Sequence, residues 1–215
     1  MGRAEVIEII ERAFGHVPHP GDAFLLGSHD GGEPIEEVGA FHGLSDWHTP
    51  TPEFLDAHYT VLSFLSESGF RYFLPAFLVA DIRDALQIAD PVFHLTHGFV
   101  DIAITHEIGG RAFTRRSGRS QFINPRRYGA TTFFDYARCR LSVFSREESA
   151  AIVTYLEFIR GLEARATDRE PIDRALEQFW RARAASAPTA VDLRRYLDEQ
   201  AEYVDALIRQ QRDAP

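Results

Sequence analysis

The stretch Phe70-Arg-Tyr-Phe-Leu-Pro-Ala-Phe-Leu-Val-Ala-Asp81 decides the fold. It is the densest apolar and aromatic run in the chain, and Arg71 is its only charge before Asp81. Such a run leaves water, so the rest of the chain must cover it. Pro75 lacks a backbone N–H, and its ring clashes with the carbonyl four residues back. At the first turn of a helix that cost disappears. The run therefore predicts a short helical piece near 67–73, then a helix from Pro75 to about Ala89. On the second piece Phe77, Leu78, Ile82, Ala85 and Leu86 recur at helical spacing, with Asp81 and Asp84 on the other side.

Arg71 sits inside this run, and a buried arginine needs a partner. Glu67 is one candidate, four residues earlier on a shared helix. Asp46, beside Trp47, is another. The functional alternative is a small pocket with Asp46, Trp47, Arg71 and Tyr72 on its rim.

Upstream, Val6, Ile7, Ile10 and Phe14 form one face of an amphipathic first helix that ends at Gly15. Residues 15–52 carry seven glycines and five histidines and read mostly as loop, with a short strand at Ala23–Leu26 and a turn at Asp30-Gly-Gly. A loop of that length in a small domain is often functional. Thr51 as cap and Pro52 at the first helical position open a second helix, whose buried face is Phe54, Leu55, His58, Val61, Leu62 and Leu65.

Downstream, Asp90-Pro91 opens a segment that reads as helix followed by a short strand or irregular stretch, because Val100, Ile102 and Ile104 alternate. For 99–106 the choice between helix and strand stays open. Residues 108–130 have no helical period and read as a long loop or a hairpin. The span 131–143 also stays open, with a short strand suggested by the alternation of Phe134, Tyr136, Leu141 and Val143. Cys139 between Arg138 and Arg140 then reads as an inward-facing strand residue. Ser145-Arg-Glu-Glu148 is a capping box that starts a helix running to about Leu162, with Ile152, Tyr155, Leu156, Ile159 and Leu162 on its apolar face. Pro171 opens a further helix to about Ala185, with Ile172, Leu176, Phe179 and Trp180 on one side. A last helix, 190–211, carries Leu193, Leu197, Val204, Leu207 and Ile208.

The expected fold is thus mainly α. It is a compact multi-helix domain over 1–164, with a long N-terminal loop region and a small β element near 99–143. A C-terminal helix hairpin over 165–215 packs on the core or extends from it. The hairpin offers a surface for partner contact or homodimerisation.

Several of these segments resemble an uncharacterised bacterial family, a domain of unknown function with a Phe/Tyr-Leu-Pro-Ala-Phe/Tyr-Leu core. The core segment is Leu62-Ser-Phe-Leu followed by Gly69-Phe-Arg-Tyr-Phe-Leu-Pro-Ala-Phe-Leu. Trp47, Pro52-Glu-Phe-Leu, the opening Ile9-Ile-Glu-Arg-Ala-Phe and His19-Pro-Gly-Asp22 fit the same pattern. So does Leu141-Ser-Val-Phe-Ser-Arg-Glu-Glu-Ser-Ala-Ala-Ile-Val-Thr-Tyr-Leu-Glu-Phe. The resemblance spans 5–90 and 134–160, while 105–131 and everything after 162 read as additions. It implies no activity.

Composition bounds the function. The 215 residues carry a formal net charge of -9, which disfavours bulk DNA binding through phosphate neutralisation. All 23 basic residues are arginine, so a lysine Schiff base and a Walker-type phosphate lysine are excluded. Cys139 is the single cysteine, which excludes an internal disulfide and a Cys-based zinc site within one chain. The acid-interspersed start is not that of a signal peptide, and no run reaches the roughly 20 apolar residues of a membrane span. A cytoplasmic protein is expected, with no membrane contact, no cofactor and no firm metal site.

Two polar constellations stand out. Arg111, Arg115, Arg116, Arg119, Arg126 and Arg127 fall together without an acid among them, whereas the first 60 residues hold two arginines and eleven acids. The cluster suits an anionic partner or internal pairing with Glu33, Glu36 or Glu37. His94, His97, His106 and Glu107 form the best local histidine set, but Gly110 stands where a zinc-protease helix needs its second His. The leading reading is a non-enzymatic protein that binds another protein, of accessory or immunity type. The rival is a metal-dependent enzyme with a histidine-containing site at 94–107, or an enzyme with such a site at 42–48.

Overall fold

The computed structural model describes residues 1–28, 31–99, 102–117 and 132–193. The fold is mainly α-helical, and its axis is the helix that carries the Leu-Pro-Ala run. That helix is continuous from Glu67 to Ile82, with Pro75 in its interior. The proline does not end it, contrary to the sequence expectation. An interior proline costs about 3 kcal/mol, but twelve of the sixteen residues are buried. Each large apolar side chain contributes roughly 1.5–3 kcal/mol on burial. Packing on all sides therefore outweighs the lost backbone bond. Ser66 caps the start by accepting a hydrogen bond from the Gly69 N–H at 3.0 Å.

In chain order the helices are α1 (Arg3–Phe14), α2 (Glu33–Gly39), α3 (Pro52–Ala57), α4 (Val61–Phe64), α5 (Glu67–Ile82) and α6 (Pro91–Thr96). The hairpin β1 (Ile102–Ile108) and β2 (Arg111–Ser117) follows. Then come α7 (Phe133–Leu141), α8 (Arg146–Arg160), α9 (Arg169–Ala175) and α10 (Arg181–Ser186). Helices α1 and α8 pack against α5 and against each other. Val6, Ile10 and Phe14 of α1 are fully buried there, with Ile152, Tyr155, Leu156 and Ile159 of α8.

Helix α5 stops at Ile82 instead of running to Ala89. Asp84 adopts a left-handed φ of 59°, and the Asp56 carboxylate accepts from the backbone N–H groups of Gln87, Ile88 and Ala89 at 2.7, 3.0 and 2.9 Å. A short acidic side chain from α3 thus gives these amides a partner outside a helix. Burial disfavours the charge on Asp56, but the three N–H groups outweigh it and lower its pKa.

The long N-terminal segment contains more structure than its composition suggests. Helix α2 lies within it, and Asp22–Phe24 form a 3-10 turn where a strand is expected. The only strand-like feature at that point among the described residues is a bridge between Leu26 and Leu65. Gly27 sits against it, and a Cβ there would lie 2.5 Å from the Leu65 carbonyl oxygen. Thr51 and Pro52 start α3 as expected, with Thr51 accepting from the Phe54 N–H. The helix then breaks after Ala57 and restarts as α4, because His58 leaves helical geometry.

The hairpin confirms a small β element near 99–143, paired antiparallel from Ile102↔Ser117 to Ile108↔Arg111. Residues 133–141 form a helix, however, not a strand. Ala137 and Leu141 are buried on α7, and Cys139 is exposed rather than inward-facing. Arg140, the next residue, is buried instead. Its guanidinium donates to the Leu62 carbonyl and, at 3.4 Å, to the Ser63 carbonyl, and lies 4.6 Å from the Phe70 ring centroid. The free carbonyls of the four-residue helix α4 thereby gain a cationic donor.

The Ser145 capping box forms with both of its bonds. The run 169–186 is helical throughout, with a π turn at Leu176–Trp180 joining α9 to α10. Ile172, Leu176, Phe179 and Trp180 are buried as expected, in the same core as α5. The Trp180 indole donates to the Leu95 carbonyl at 2.8 Å, which pins this run to α6. Thr189 accepts from the Asp192 N–H at 3.2 Å, and helical residues follow to 193. The rest of the expected last helix lies outside the described residues.

Candidate functional site

Beside Trp47 an open cleft of about 90 Å³ runs between α1, the segment before α3 and the end of α5. Its lining joins charged Glu11, His48 and Arg83 to apolar Trp47, Pro50, Pro52, Ala76, Val79 and Ala80. Just over one turn of α5 supplies the floor, because Ala76, Val79 and Ala80 share one face. Alanines there keep the floor low, and the two prolines fix the opposite wall.

The segment that carries Trp47 is held rigid. Asp46 accepts from the His48 N–H at 3.0 Å and bonds the His48 Nδ1 at 2.6 Å. Those two bonds hold the Asp46 carboxyl below its usual pKa. The imidazole stacks on the Trp47 indole, with centroids 3.6 Å apart. Trp47 itself is buried, and Tyr72 donates its hydroxyl to the Ser45 carbonyl at 2.6 Å. Burial, reinforced by the nearby Asp46 charge, raises the Tyr72 pKa. An imidazole held by a carboxylate at Nδ1 presents Nε2 in a defined orientation.

Of the four residues expected on one rim, Trp47 lines the cleft and Asp46 positions His48. Tyr72 braces the segment from behind. Arg71 turns away, and its partner is neither Glu67 nor Asp46. It forms a bidentate pair with Glu148, from Nε to Oε2 at 2.8 Å and from Nη2 to Oε1 at 2.6 Å. Glu11, His48, Pro50 and Arg83 have no sequence signal that groups them, because three distant segments bring them together.

The interior holds a second polar cluster that the sequence reading passes over. Tyr155 donates to Asp81 at 2.5 Å, and Arg165 bonds Asp81 at 2.9 Å and Asp168 at 2.5 Å. Burial pushes the Tyr155 hydroxyl well above its ordinary pKa, and the Asp81 charge adds to that. Burial alone would lower the Arg165 pKa, but Asp81 and Asp168 raise it. Asp81, set at the end of an apolar run, is the one hint in the sequence that a cation must come to it. The cluster locks α5 to α8 and to the turn before α9.

Of the histidine set, His94 is neutral, with its pKa lowered to about 3 by burial and then by the Arg140 charge. Burial also lowers the pKa of His97, whose ring stacks on Phe93 at 4.7 Å and meets Phe133 edge-on. His106 pairs in register with Phe113 across the hairpin. Among the described residues no three His, Cys, Asp or Glu side chains are grouped to hold a metal ion.

Of the arginine cluster, Arg111, Arg115 and Arg116 fall on β2, opposite Ile108, Ile104 and Ala103. Arg119, Arg126 and Arg127 lie outside the described residues.

Fold and site together define a mainly helical domain with a rigid, tryptophan-walled cleft. Residues 2–104 match the model of a family of unknown function, DUF6714. The match includes the Leu-Pro-Ala core and the whole segment of Trp47, in keeping with the resemblance to an uncharacterised family, while 134–160 falls beyond it. No curated protein and no solved structure matches the chain. Among the described residues no helix is long and apolar enough to cross a membrane.

Proposed function

We propose that this protein works by binding another protein, as a non-enzymatic accessory or immunity-type partner in the bacterial cytoplasm. The observation that carries the reading is a set of large apolar side chains left in water on a rigid part of the fold. Tyr59, Ile88 and Phe93 are 50%, 60% and 48% exposed. They lie on the α3–α4 turn, the α5–α6 connection and α6. The Asp56 carboxylate binds the first two of these regions together, and Asp90 caps α6 by accepting from the Phe93 N–H at 3.1 Å. Exposed apolar side chains on a fixed scaffold mark interaction surfaces, because ordering costs there are already met.

The arginine strand supplies charge to the same reading. Guanidinium groups in an otherwise acidic chain favour an acidic protein surface and speed its approach. Cys139 is exposed and lone, which is the usual state of a thiol in a reducing cytoplasm.

The test is capture from an extract of the source organism on the immobilised full chain, read by mass spectrometry. A Tyr59→Ser, Ile88→Ser double variant is the control. A protein retained by the parent and lost with the double variant, at unchanged melting temperature, supports the reading. Identical capture on both removes it.

A further inference from the structure

Glu11 and Arg83 face one cleft with opposite charges, and among the described residues neither side chain has a partner. Three other arginines of the core region are engaged. Arg71 holds Glu148, Arg140 holds the carbonyls of α4, and Arg165 holds Asp81 and Asp168. The rest of the lining is apolar: a floor of Ala76, Val79 and Ala80, with Trp47, Pro50 and Pro52 as walls.

We propose that this cleft binds a free aliphatic α-amino acid. A ligand there needs an anion for Arg83, a cation for Glu11 and a small apolar body between them. An α-amino acid carries all three on one carbon. Arg83 offers the carboxylate a planar two-point contact, and Glu11 takes the ammonium. The side chain settles on the floor of Ala76, Val79 and Ala80. The free space of about 90 Å³ limits its size. A small aliphatic side chain such as that of valine, or the ring of proline, suits a cleft of this size. The walls are preformed, since Asp46 fixes His48 and His48 stacks on Trp47. The site lies within the family-matched segment, and its lining includes none of Tyr59, Ile88 and Phe93.

Titration of the ¹⁵N-labelled full chain with L-valine and with L-proline tests this directly, read at the Trp47 indole and the amides of 76–83. Two probes each lack one charge: N-acetyl-L-valine, which also stands for the last residue of a peptide, and isobutylamine. Saturable shifts with at least one amino acid, weakened about tenfold or more by loss of either ligand charge, support the site. Glu11→Gln and Arg83→Gln should each weaken binding to a similar degree while the spectra stay dispersed. Absence of any saturable shift with both amino acids overturns the proposal. Equal binding of N-acetyl-L-valine also overturns it, and makes the cleft a site for carboxylates or peptide ends. The probes alone decide the matter if a variant fails to fold.

Discussion

Arg71 and Glu148 are 77 residues apart in sequence and form a two-bond fork in the core of the protein. The Glu148 side chain is 1% exposed. Its Oε2 also accepts from the Ser145 N–H at 3.0 Å, so one carboxylate starts α8 and neutralises α5. Both segments that carry the resemblance to an uncharacterised family meet in this contact. Removing one partner of a buried pair leaves the other charge without compensation, at about 3–5 kcal/mol. We expect Glu148→Ala and Arg71→Ala each to lose that much in urea unfolding. A double change to apolar residues of similar volume should recover part of the loss. Single variants that cost under about 1 kcal/mol would show that the pair behaves as a surface one.

Local signals were legible in the sequence, and distant partners were not. The capping box at Ser145 and the cap at Thr51 are read correctly because their bonds span three residues. Phe134 and Tyr136 suggest a strand by alternation. Yet Phe134, Ala137 and Leu141 repeat at three-four spacing, and that helical pattern is the one the fold uses. Pro75 misleads for a different reason. A local rule about hydrogen bonding is overridden by burial of the helix on every side. The partner of Arg71 and the lining of the cleft each depend on tertiary contacts between segments far apart, which no spacing rule reports.

Phe73 and Phe77 are both fully buried on α5. Phe73 makes edge contacts with Phe41 at 5.0 Å and Tyr72 at 4.9 Å. Alanine at either position should cost about 3–5 kcal/mol. A thermal melt that moves by only a degree or two would contradict the central place given to this helix.

Neutral His94 makes stability depend on pH. Its pKa is about 3 in the fold against an ordinary 6.5. Between those values the unfolded chain binds a proton that the folded chain does not, so stability rises with pH there and is lost as pH falls from 6.5 towards 3. His97 is shifted in the same direction. Urea midpoints measured from pH 7 to pH 4 should fall, and a His94→Gln variant should fall less steeply. Parallel slopes for the two proteins would mean that His94 does not stay neutral.

Truncation separates core from appendage in the C-terminal region. Ile172, Leu176, Phe179 and Trp180 are buried with α5 and α8. Four such side chains at roughly 1.5–3 kcal/mol each contribute roughly 6–12 kcal/mol, comparable to the whole stability of a domain. A chain ending at Arg165 should therefore not fold, by circular dichroism and light scattering. A chain ending at Leu193 should fold. If the full chain is a dimer and the Leu193 form a monomer, the region beyond carries self-association. A folded, stable product ending at Arg165 would make the run from α9 to α10 dispensable.

Arg115, Arg116 and Arg119 test the electrostatic part of the binding reading. The first two occupy β2 of a two-stranded hairpin, and the arginines from 111 to 127 have no acid among them. Exposed charges are screened within about 10 Å at 0.1 M salt. Capture of an acidic partner should therefore weaken steeply between low and high salt, and a triple change to serine should abolish it with little effect on the melting temperature. The opposite outcome is as definite. A large loss of stability from the same change would show that these side chains pair within the protein. The acids Glu33 and Glu36 of α2 are the first candidates, since Glu37 already bonds His58 at 3.3 Å. Binding would then rest on the apolar surface of Tyr59, Ile88 and Phe93 alone, and its salt dependence would be flat.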